Sequence, residues 1–452
     1  MALAEAVRPP PATSSTSLLP ALVHLALPIA GSNLLQRGVG IVDALLVGRL
    51  GAAELAAVGL SQLLILFLMA FVYGLGVGTT VAVAYHTGAG DPGRRAASIR
   101  ASLLLGLAVA ALLTVLGLLA SEAAARLLGA SGAILTLTLQ YLVITWAFFI
   151  FKVMLHLAAS VFYGVGDSRT PLSVIIFVNL IHVAIAFPLV FGWAGAPRMG
   201  VQGAAIASVA SEGFGAASLL VLAFRRGWVS FSGRWSDPDE VRRIAMIGSP
   251  AMGERLVTHG MQLGYAKFVL AYGVAAYAAH QVGLNIEALS FLPALGFAQA
   301  ATTLVGQRLG AGEGAAARQS GVWAAWFAVA AMSAFGVTYV LFPSGWVALF
   351  TSDREVMDYG RTLMWIVAFL QPPLALALAL MGALRGAGET KVVLYAAILG
   401  GWVVRLPLAY LLGVQLELGL VAVWLTMWLD WWVRAAVVLL RFRRLRWSEI
   451  RL

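Results

Sequence analysis

Apolar residues along this chain occur in long runs that are separated by short polar or glycine-rich connections. Many runs reach the roughly 20 residues that an α-helix needs to cross about 30 Å of hydrocarbon. They lack the alternation of apolar and polar positions that is typical of barrel strands, so the pattern predicts helices. We predict twelve transmembrane helices, at residues 19–48, 54–86, 97–120, 134–163, 170–193, 200–224, 242–271, 275–307, 317–343, 357–384, 391–413 and 417–440.

Composition supports this fold class. Of the 452 residues, 61% are hydrophobic and only 11% are charged, whereas a soluble domain averages about 25% charged residues. We therefore predict an all-α polytopic membrane protein. The chain has no cysteine, which excludes disulfides, thiol catalysis and cysteine-ligated metal.

The net charge of +10 reflects the membrane topology. Basic residues fall between the apolar runs rather than on one soluble patch, so no nucleic-acid partner is expected. They concentrate in alternate connections, and the positive-inside rule then predicts a multi-pass protein of the cell (inner) membrane with both termini cytoplasmic. The cytoplasmic set comprises Arg94, Arg95, Arg169, Arg225, Arg226, Arg234, Arg242, Arg243, Arg308, Arg318, Arg385 and Lys391.

The two halves of the chain repeat each other at an offset of 222 residues. Pro28 pairs with Pro250, Gly88 pairs with Gly310, and "GVGDS" pairs with "GAGET". We therefore predict two six-helix bundles related by a pseudo-twofold axis along the membrane normal, as in many transporters. The predicted parts are a disordered N-terminal tail (1–18), an N-terminal bundle (19–224), a cytoplasmic linker (225–241), a C-terminal bundle (242–440) and a basic cytoplasmic tail (441–452).

Three stretches, "LPIAGSNLLQRGVGIVDALLVGRLG", "ATTLVGQRLGAG" and "GALRGAGET", resemble the multidrug and toxic compound extrusion (MATE) transporters. The resemblance implies two bundles that form a V around a central cavity, and antiport of organic compounds against H⁺ or Na⁺. It also implies that Asp43 is the ion-coupling aspartate of the first helix. Other acids of the family's ion sites are replaced here. The family's helix 7 glutamate is Thr258, its helix 10 aspartate is Leu374, and its helix 5 asparagine and aspartate are His182 and Ala186.

Asp43 is also unusual without any resemblance, because it lies within the apolar run "GIVDALLVG". A charge at mid-bilayer costs roughly 2.5–3.5 kcal/mol, and such residues usually face the bundle interior or water. Low dielectric disfavours the charged form of a carboxyl group, which favours a switch that responds to protons or sodium. The alternative is a structural ion pair, although Arg37 points to another side of the same helix. Asp43 shares a helical stripe with Gln36.

Further polar residues could share a hydrated pocket with Asp43. Helix 4 carries a polar stripe at spacings of four, and helix 5 adds an asparagine and a histidine. The alternative is that these residues are satisfied packing residues, and Lys152 could instead neutralise Asp43 directly. The candidates in this half are Lys152, His156, Asn179 and His182.

The second half offers its own candidates. The repeat maps Gln36 to Thr258 and Asp43 to Tyr265. Glu254 lies next to Arg255, so a structural pair is at least as plausible there as ion coupling. The pocket candidates in this half are Glu254, Thr258, Tyr265, His280 and Glu287.

The sequence thus favours an ion-coupled secondary antiporter that exports amphipathic organic compounds by alternating access. H⁺ is favoured over Na⁺ because a sodium site usually needs several oxygen ligands, and Ala186 removes one acid. The alternative is a lipid-linked oligosaccharide flippase of the same superfamily, for which more helices and a strongly cationic cavity are expected. No catalytic constellation is present, so we expect no enzyme, no cofactor beyond the transported ion, and a monomer whose partners are organic small molecules and membrane lipid.

Overall fold

A computed structural model describes residues 15–229 and 237–452 of the chain. Within these ranges every regular element is a helix. The helices are α1 (Ser15–Gly48), α2 (Ala52–Gly88), α3 (Pro92–Leu127), α4 (Gly132–Ala147), α5 (Phe149–Val165), α6 (Arg169–Phe191), α7 (Val201–Arg225), α8 (Pro238–Leu270), α9 (Val274–Gly310), α10 (Gly314–Leu341), α11 (Pro343–Ala348), α12 (Arg354–Gly386), α13 (Thr390–Ala397), α14 (Leu406–Ala409) and α15 (Leu420–Arg444).

Several helices begin earlier than the sequence predicted, and two of them begin inside segments that were predicted to lie outside the bundles. Helix α1 begins at Ser15, so the last residues of the predicted tail are helical. Helix α8 begins at Pro238, inside the predicted linker. Proline is well suited to a first helical position because its missing N–H would be unsatisfied there anyway, and Asp239 in the first turn complements the helix dipole. The remainder of the predicted tail, 1–14, and residues 230–236 of the linker lie outside the described residues.

The chain crosses the membrane several times. Nine of the described helical segments are long and apolar enough to span a bilayer, and a tenth results if α4 and α5 form one span. These two helices meet at Phe148 with a bend of 55°. The more detailed arrangement of twelve spans in two six-helix bundles stays a prediction.

The chain divides into two compact units. The N-terminal unit comprises the described residues of Gly31–Val83 and Pro92–Met252, and the C-terminal unit comprises residues 15–30 together with Ala84–Asp91 and Gly253–Leu452. Each unit has its own apolar core. The domain boundaries predicted above follow the internal duplication, and they stay a prediction.

The duplication recurs in the hydrogen bonds inside each unit. In the N-terminal unit the Thr80 hydroxyl donates to the Ser160 carbonyl at 3.2 Å. In the C-terminal unit the Thr302 hydroxyl donates to the Gly382 carbonyl at 2.8 Å. Both members of the second pair lie 222 residues after those of the first, so the repeat in sequence is also a repeat in packing.

Close backbone approaches follow the same offset. In the N-terminal unit Gly74 of α2 lies against Gly248 of α8, with no room for a Cβ atom. In the C-terminal unit Gly296 of α9 lies against Ala26 of α1 in the same way. The first part of α1 therefore packs in the C-terminal unit, and the first part of α8 packs in the N-terminal unit.

The segment after α13 departs from regular α-helix. It continues as two π-helical stretches, Ile398–Arg405 and Tyr410–Gln415, on either side of α14. Such stretches are rare and are frequently found at functional sites. Gly400 in the first stretch lies directly against the carboxylate of Asp430 on α15, so this segment brings backbone close to a buried charge.

Candidate functional site

Asp43 of α1 is fully buried within the N-terminal unit. Its Oδ1 atom lies 2.9 Å from Nε2 of His182 on α6. Its Oδ2 atom accepts a hydrogen bond from the Ser208 hydroxyl of α7 at 3.3 Å, and the Tyr141 hydroxyl of α4 makes a longer contact of 3.5 Å. One carboxylate thus joins four helices.

The network extends to α2. Gln62 donates from Nε2 to the Tyr141 hydroxyl oxygen at 3.1 Å. Because the Tyr141 hydroxyl accepts from Gln62, its own hydrogen is free to point at Asp43. The amide therefore helps to orient the phenol as a donor to the carboxylate.

His182 is also fully buried, and its ring nitrogens have different surroundings. Nε2 faces Asp43, whereas Nδ1 has no hydrogen-bond partner among the residues that the structure describes. A buried N–H without an acceptor is costly, so a neutral ring that carries its proton on Nε2 fits best. This tautomer is assigned from the hydrogen-bond network. In that form His182 donates to an ionised Asp43.

Lys152 of α5 forms an ion pair with Glu212 of α7, and both side chains are largely buried. The structure therefore places Lys152 with Glu212 and not with Asp43, which removes the direct neutralisation considered from the sequence. Glu212 lies one turn after Ser208 on α7 and interacts electrostatically with Tyr141. The ion pair is thus a neighbour of the Asp43 network.

The remaining candidates of this half differ in burial and in the residues they contact. Asn179 is half-buried one turn before His182, and its Oδ1 atom faces Gly38 of α1. His156 is half-buried on α5 and packs against Gly76 of α2. Gln36 is exposed. The predicted stripe on α1 therefore does not carry Gln36 into the buried site.

Sequence reasoning missed four residues of this site, namely Gln62, Tyr141, Ser208 and Glu212. Glu212 carried a usable signal because it is the only acid in the apolar helix α7, just as Asp43 is in α1. Tyr141 and Ser208 carried none, since one tyrosine or serine in an apolar helix is common. Their roles depend on how the helices pack.

In the second half, Glu254 of α8 pairs with Arg385 of α12 at 2.6 Å, and both are buried. Its partner is thus a distant arginine rather than the adjacent Arg255. This geometry agrees with the structural-pair interpretation of Glu254. Thr258, one turn further along α8, is half-buried.

Tyr265, the counterpart of Asp43 in the repeat, is buried and donates its hydroxyl to the Val423 carbonyl at 2.9 Å. Its ring lies 5.8 Å from that of His280, and Glu287 is half-buried two turns after His280 on α9. The fully buried acid of this unit is Asp430 on α15, a residue that the sequence analysis did not select. A lone acid in the apolar run "LTMWLDWWV" was the available signal.

Comparison with known proteins gives a consistent result. The MatE family model matches residues 28–187 and 250–411, and each match begins at a proline of the repeat. A relative from Thermotoga maritima, "Probable multidrug resistance protein NorM", is 31% identical over 440 residues, covering 95% of this chain and 93% of the relative.

Two solved structures share the fold. One, "Crystal structure of MATE in the bent conformation", has a TM-score of 0.89 at 23% identity and covers 94% of this chain and 95% of that chain. The other, "Crystal structure of MATE in the straight conformation", has a TM-score of 0.86 at 23% identity and covers 95% and 98%. With the family model matching most of both halves, the chain belongs to the MatE family of multidrug transporters.

Proposed function

We propose that this protein is an H⁺-coupled antiporter that exports amphipathic organic compounds across the cell (inner) membrane by alternating access, as a monomer with both termini cytoplasmic. The observation that carries the proposal is the buried Asp43, whose carboxylate joins α1 to α4, α6 and α7. The name of the Thermotoga relative supports organic compounds as substrates.

Protonation of Asp43 changes what this carboxylate can do. Ionised, it accepts hydrogen bonds from His182 and Ser208 and a longer contact from Tyr141. Protonated, it loses its charge and one acceptor oxygen becomes a donor, so the charge-assisted bonds weaken. Proton binding therefore loosens α1 from the three helices around it.

Helix α1 has a place where it can respond. Pro28 lies inside the helix, and its ring removes one backbone hydrogen bond and favours a kink. In this mechanism the ionised carboxylate holds α1 straight with the drug cavity open. Protonation lets α1 bend near Pro28 and closes the cavity. Solved structures of this fold are described as bent and as straight, which supports two such states.

The partners of Asp43 favour H⁺ over Na⁺. Sodium is a hard cation that is best satisfied by several oxygen ligands. Oδ1 of Asp43 instead faces a ring nitrogen, His182 Nε2. Ala186, one turn after His182, stands where the resemblance implies a second acid, so that oxygen ligand is absent. A histidine and a carboxylate at hydrogen-bond distance are suited to accept and release one proton.

The available driving force is sufficient for such a cycle. A proton that moves inward down the membrane potential releases about 2.3 kcal/mol of free energy per 100 mV. This energy biases the carrier only if ion and substrate have different affinities for its two states. Competition or alternation between proton and substrate at linked sites meets that condition.

The test uses the full-length protein in proteoliposomes, with uptake of a fluorescent organic cation under separately imposed pH and sodium gradients. Transport should follow the pH gradient, and Asp43→Asn should reduce it at least about tenfold, because the amide mimics the protonated state. Glu122→Gln is the matched control, since Glu122 is an exposed carboxylate paired with Arg126.

Full pH-driven transport by Asp43→Asn, at equal protein content, would refute the coupling mechanism. Transport that follows sodium alone would refute the choice of ion while leaving the antiporter intact. Both results are interpretable only if the variant and the parent elute alike in size-exclusion chromatography.

A further inference from the structure

A second cluster of buried charges lies in the C-terminal unit, on α15 and the first π-helical stretch. Asp430 and Arg434 are one turn apart on α15, and both are almost completely buried. Arg434 donates from Nε to Oδ1 of Asp430 at 2.5 Å and from Nη2 to Oδ2 at 3.0 Å. This bidentate pair occupies both carboxylate oxygens, as is typical of a strong arginine–carboxylate pair.

Arg405 brings a second guanidinium to the same carboxylate. It is 6% exposed and ends the π-helical stretch Ile398–Arg405. Its Nη1 atom lies 3.9 Å from Oδ2 of Asp430, which is beyond hydrogen-bond distance. Its Nε atom has no hydrogen-bond partner among the described residues. Two buried guanidinium groups thus share one carboxylate, which leaves one positive charge without a close counter-ion in this cluster.

The surplus charge lies beside a row of aromatic side chains. The Arg405 guanidinium is 3.9 Å from the centre of the Tyr265 ring. The Tyr265 ring is 5.8 Å from the His280 ring, which is 5.3 Å from the Trp424 ring. All of these side chains are buried, so the row continues from Arg405 into the core of the unit.

Two further polar atoms in this row are also without partners in the described part of the chain. They are Nδ1 of His280 and Nε1 of Trp424. The indole N–H can only donate, and the guanidinium Nε–H can only donate. Native proteins rarely leave buried polar groups unpaired, so three in one contiguous cluster need a physical explanation.

We propose that this cluster is a binding site for a small monovalent anion, either a halide or a carboxylate. Such a ligand accepts hydrogen bonds from Arg405 and Trp424, and it neutralises the surplus charge that burial makes costly. A cation is disfavoured because the cluster is already positive. The site is distinct from that of Asp43, which lies in the other unit.

One internal group could compete with such an anion. Glu287 of α9 is half-buried and interacts electrostatically with Arg405. If its carboxylate is the counter-ion of Arg405, no external anion is needed. The experiment must therefore separate an external anion from this internal one.

The test measures thermal unfolding of the full-length protein in nanodiscs, at constant ionic strength, as chloride or acetate replaces the large anion isethionate. The unfolding midpoint should rise saturably with the small anion. Arg405→Gln should weaken the apparent affinity at least tenfold, while Arg126→Gln, at an exposed arginine, should leave it unchanged. A response to chloride alone identifies a halide site, and a response to acetate shows that carboxylates are accepted.

Trp424→Phe provides a second variant if Arg405→Gln does not fold, because it removes one N–H donor and keeps every charge. It should weaken the anion response about threefold or more. Equal midpoints in all three salts would overturn the proposal. So would an anion response that is absent from the parent and present only in Glu287→Gln, since Glu287 would then be the counter-ion. Thermal unfolding does not depend on export, so the outcome of this test is independent of the proposed antiport.

Discussion

At the residue scale, Asp43 and His182 form a pair in which each partner determines the state of the other. Both side chains are fully buried, at 2.9 Å from each other. Removal of His182 leaves the buried carboxylate without its closest hydrogen-bond donor, at a cost of about 1–3 kcal/mol, and more for a charged group. A carboxylic acid can avoid that cost by taking up a proton. Without His182 the hydrogen bonds that hold α1 are therefore weakened, as they are in Asp43→Asn.

This argument predicts that His182→Leu has the same transport defect as Asp43→Asn. The double variant should be no worse than either single variant, because residues that act as one unit are not additive. The measurement is a double-mutant cycle on pH-driven export rates. If the two defects multiplied, the residues would act independently and the pair would not be the switch.

Asp167, in the connection between α5 and α6, gives a prediction about pH and stability. Burial raises the pKa of Asp167, but hydrogen bonds from Arg226 and Thr170 outweigh this effect, and the net result is a pKa below its usual range. A carboxyl group with a lowered folded-state pKa stabilises the fold above its unfolded pKa of about 4. That contribution is lost as the pH falls through the lower folded-state pKa.

We therefore expect Asp167→Asn to lower the free energy of unfolding by about 1 kcal/mol at pH 7, the upper range for a partly exposed ion pair. The difference from the parent should shrink as the pH falls below about 4. Chemical denaturation of the detergent-purified protein at pH 7, 5 and 3.5 measures it. A difference that stays constant with pH would show that charge is not the cause.

At the element scale, glycine positions decide how closely helices approach. A Cβ atom added at Gly88, near the end of α2, would overlap the Gln307 carbonyl oxygen of α9. One added at Gly310 would overlap the Tyr85 carbonyl in the same way. These residues form one contact inside the C-terminal unit and correspond to each other in the repeat.

Gly88→Ala and Gly310→Ala should each destabilise the fold by roughly 1–3 kcal/mol, the usual cost of overpacking. Gly59→Ala is the matched control on the same helix α2, because nothing lies within 4 Å of its added Cβ atom. It should be neutral or slightly stabilising, since alanine favours helix over glycine. Thermal unfolding in detergent compares the three. An equal effect of all three would mean that helix propensity, and not close packing, determines the outcome.

The sequence predicted elements better where apolar length determines them than where packing does. The runs around α2 and α9 were identified because hydrocarbon thickness sets a minimum length. The bend at Phe148 was not predicted, since no proline lies at that break. The π-helical stretches were not predicted either, although Pro407 lies between them. Such features arise from contacts with neighbouring helices, and Gly400 against Asp430 is an example.

The candidate site shows the same limit of prediction from sequence. Asp43 and His182 were selected because ionisable side chains in apolar helices are costly and therefore informative. The pairing of Lys152 with Glu212, and of Glu254 with Arg385, joins residues that are 60 and 131 positions apart. Spacing along one helix carries no information about such partners. Charge type was thus predictable, whereas charge pairing required the packed helices.

The distribution of basic residues makes a final prediction about the whole molecule, namely its orientation in the membrane. Lysine and arginine in short connections remain on the cytoplasmic side during insertion. The connection between α3 and α4 and the connection between α6 and α7 carry few of them, whereas the tail after α15 carries several.

Because the natural chain has no cysteine, single introduced cysteines report the side of the membrane without interference. A membrane-impermeant thiol reagent should label Ser131→Cys and Pro197→Cys in intact cells, since both positions are exposed and belong to the sparsely charged connections. It should label Asp239→Cys and Glu449→Cys, also exposed, only after the membrane is made permeable. Export of each variant at the parental rate is the control for native folding. Labelling of Glu449→Cys in intact cells, with Ser131→Cys protected, would reverse the orientation, and proton entry would then have to reach Asp43 from the opposite side.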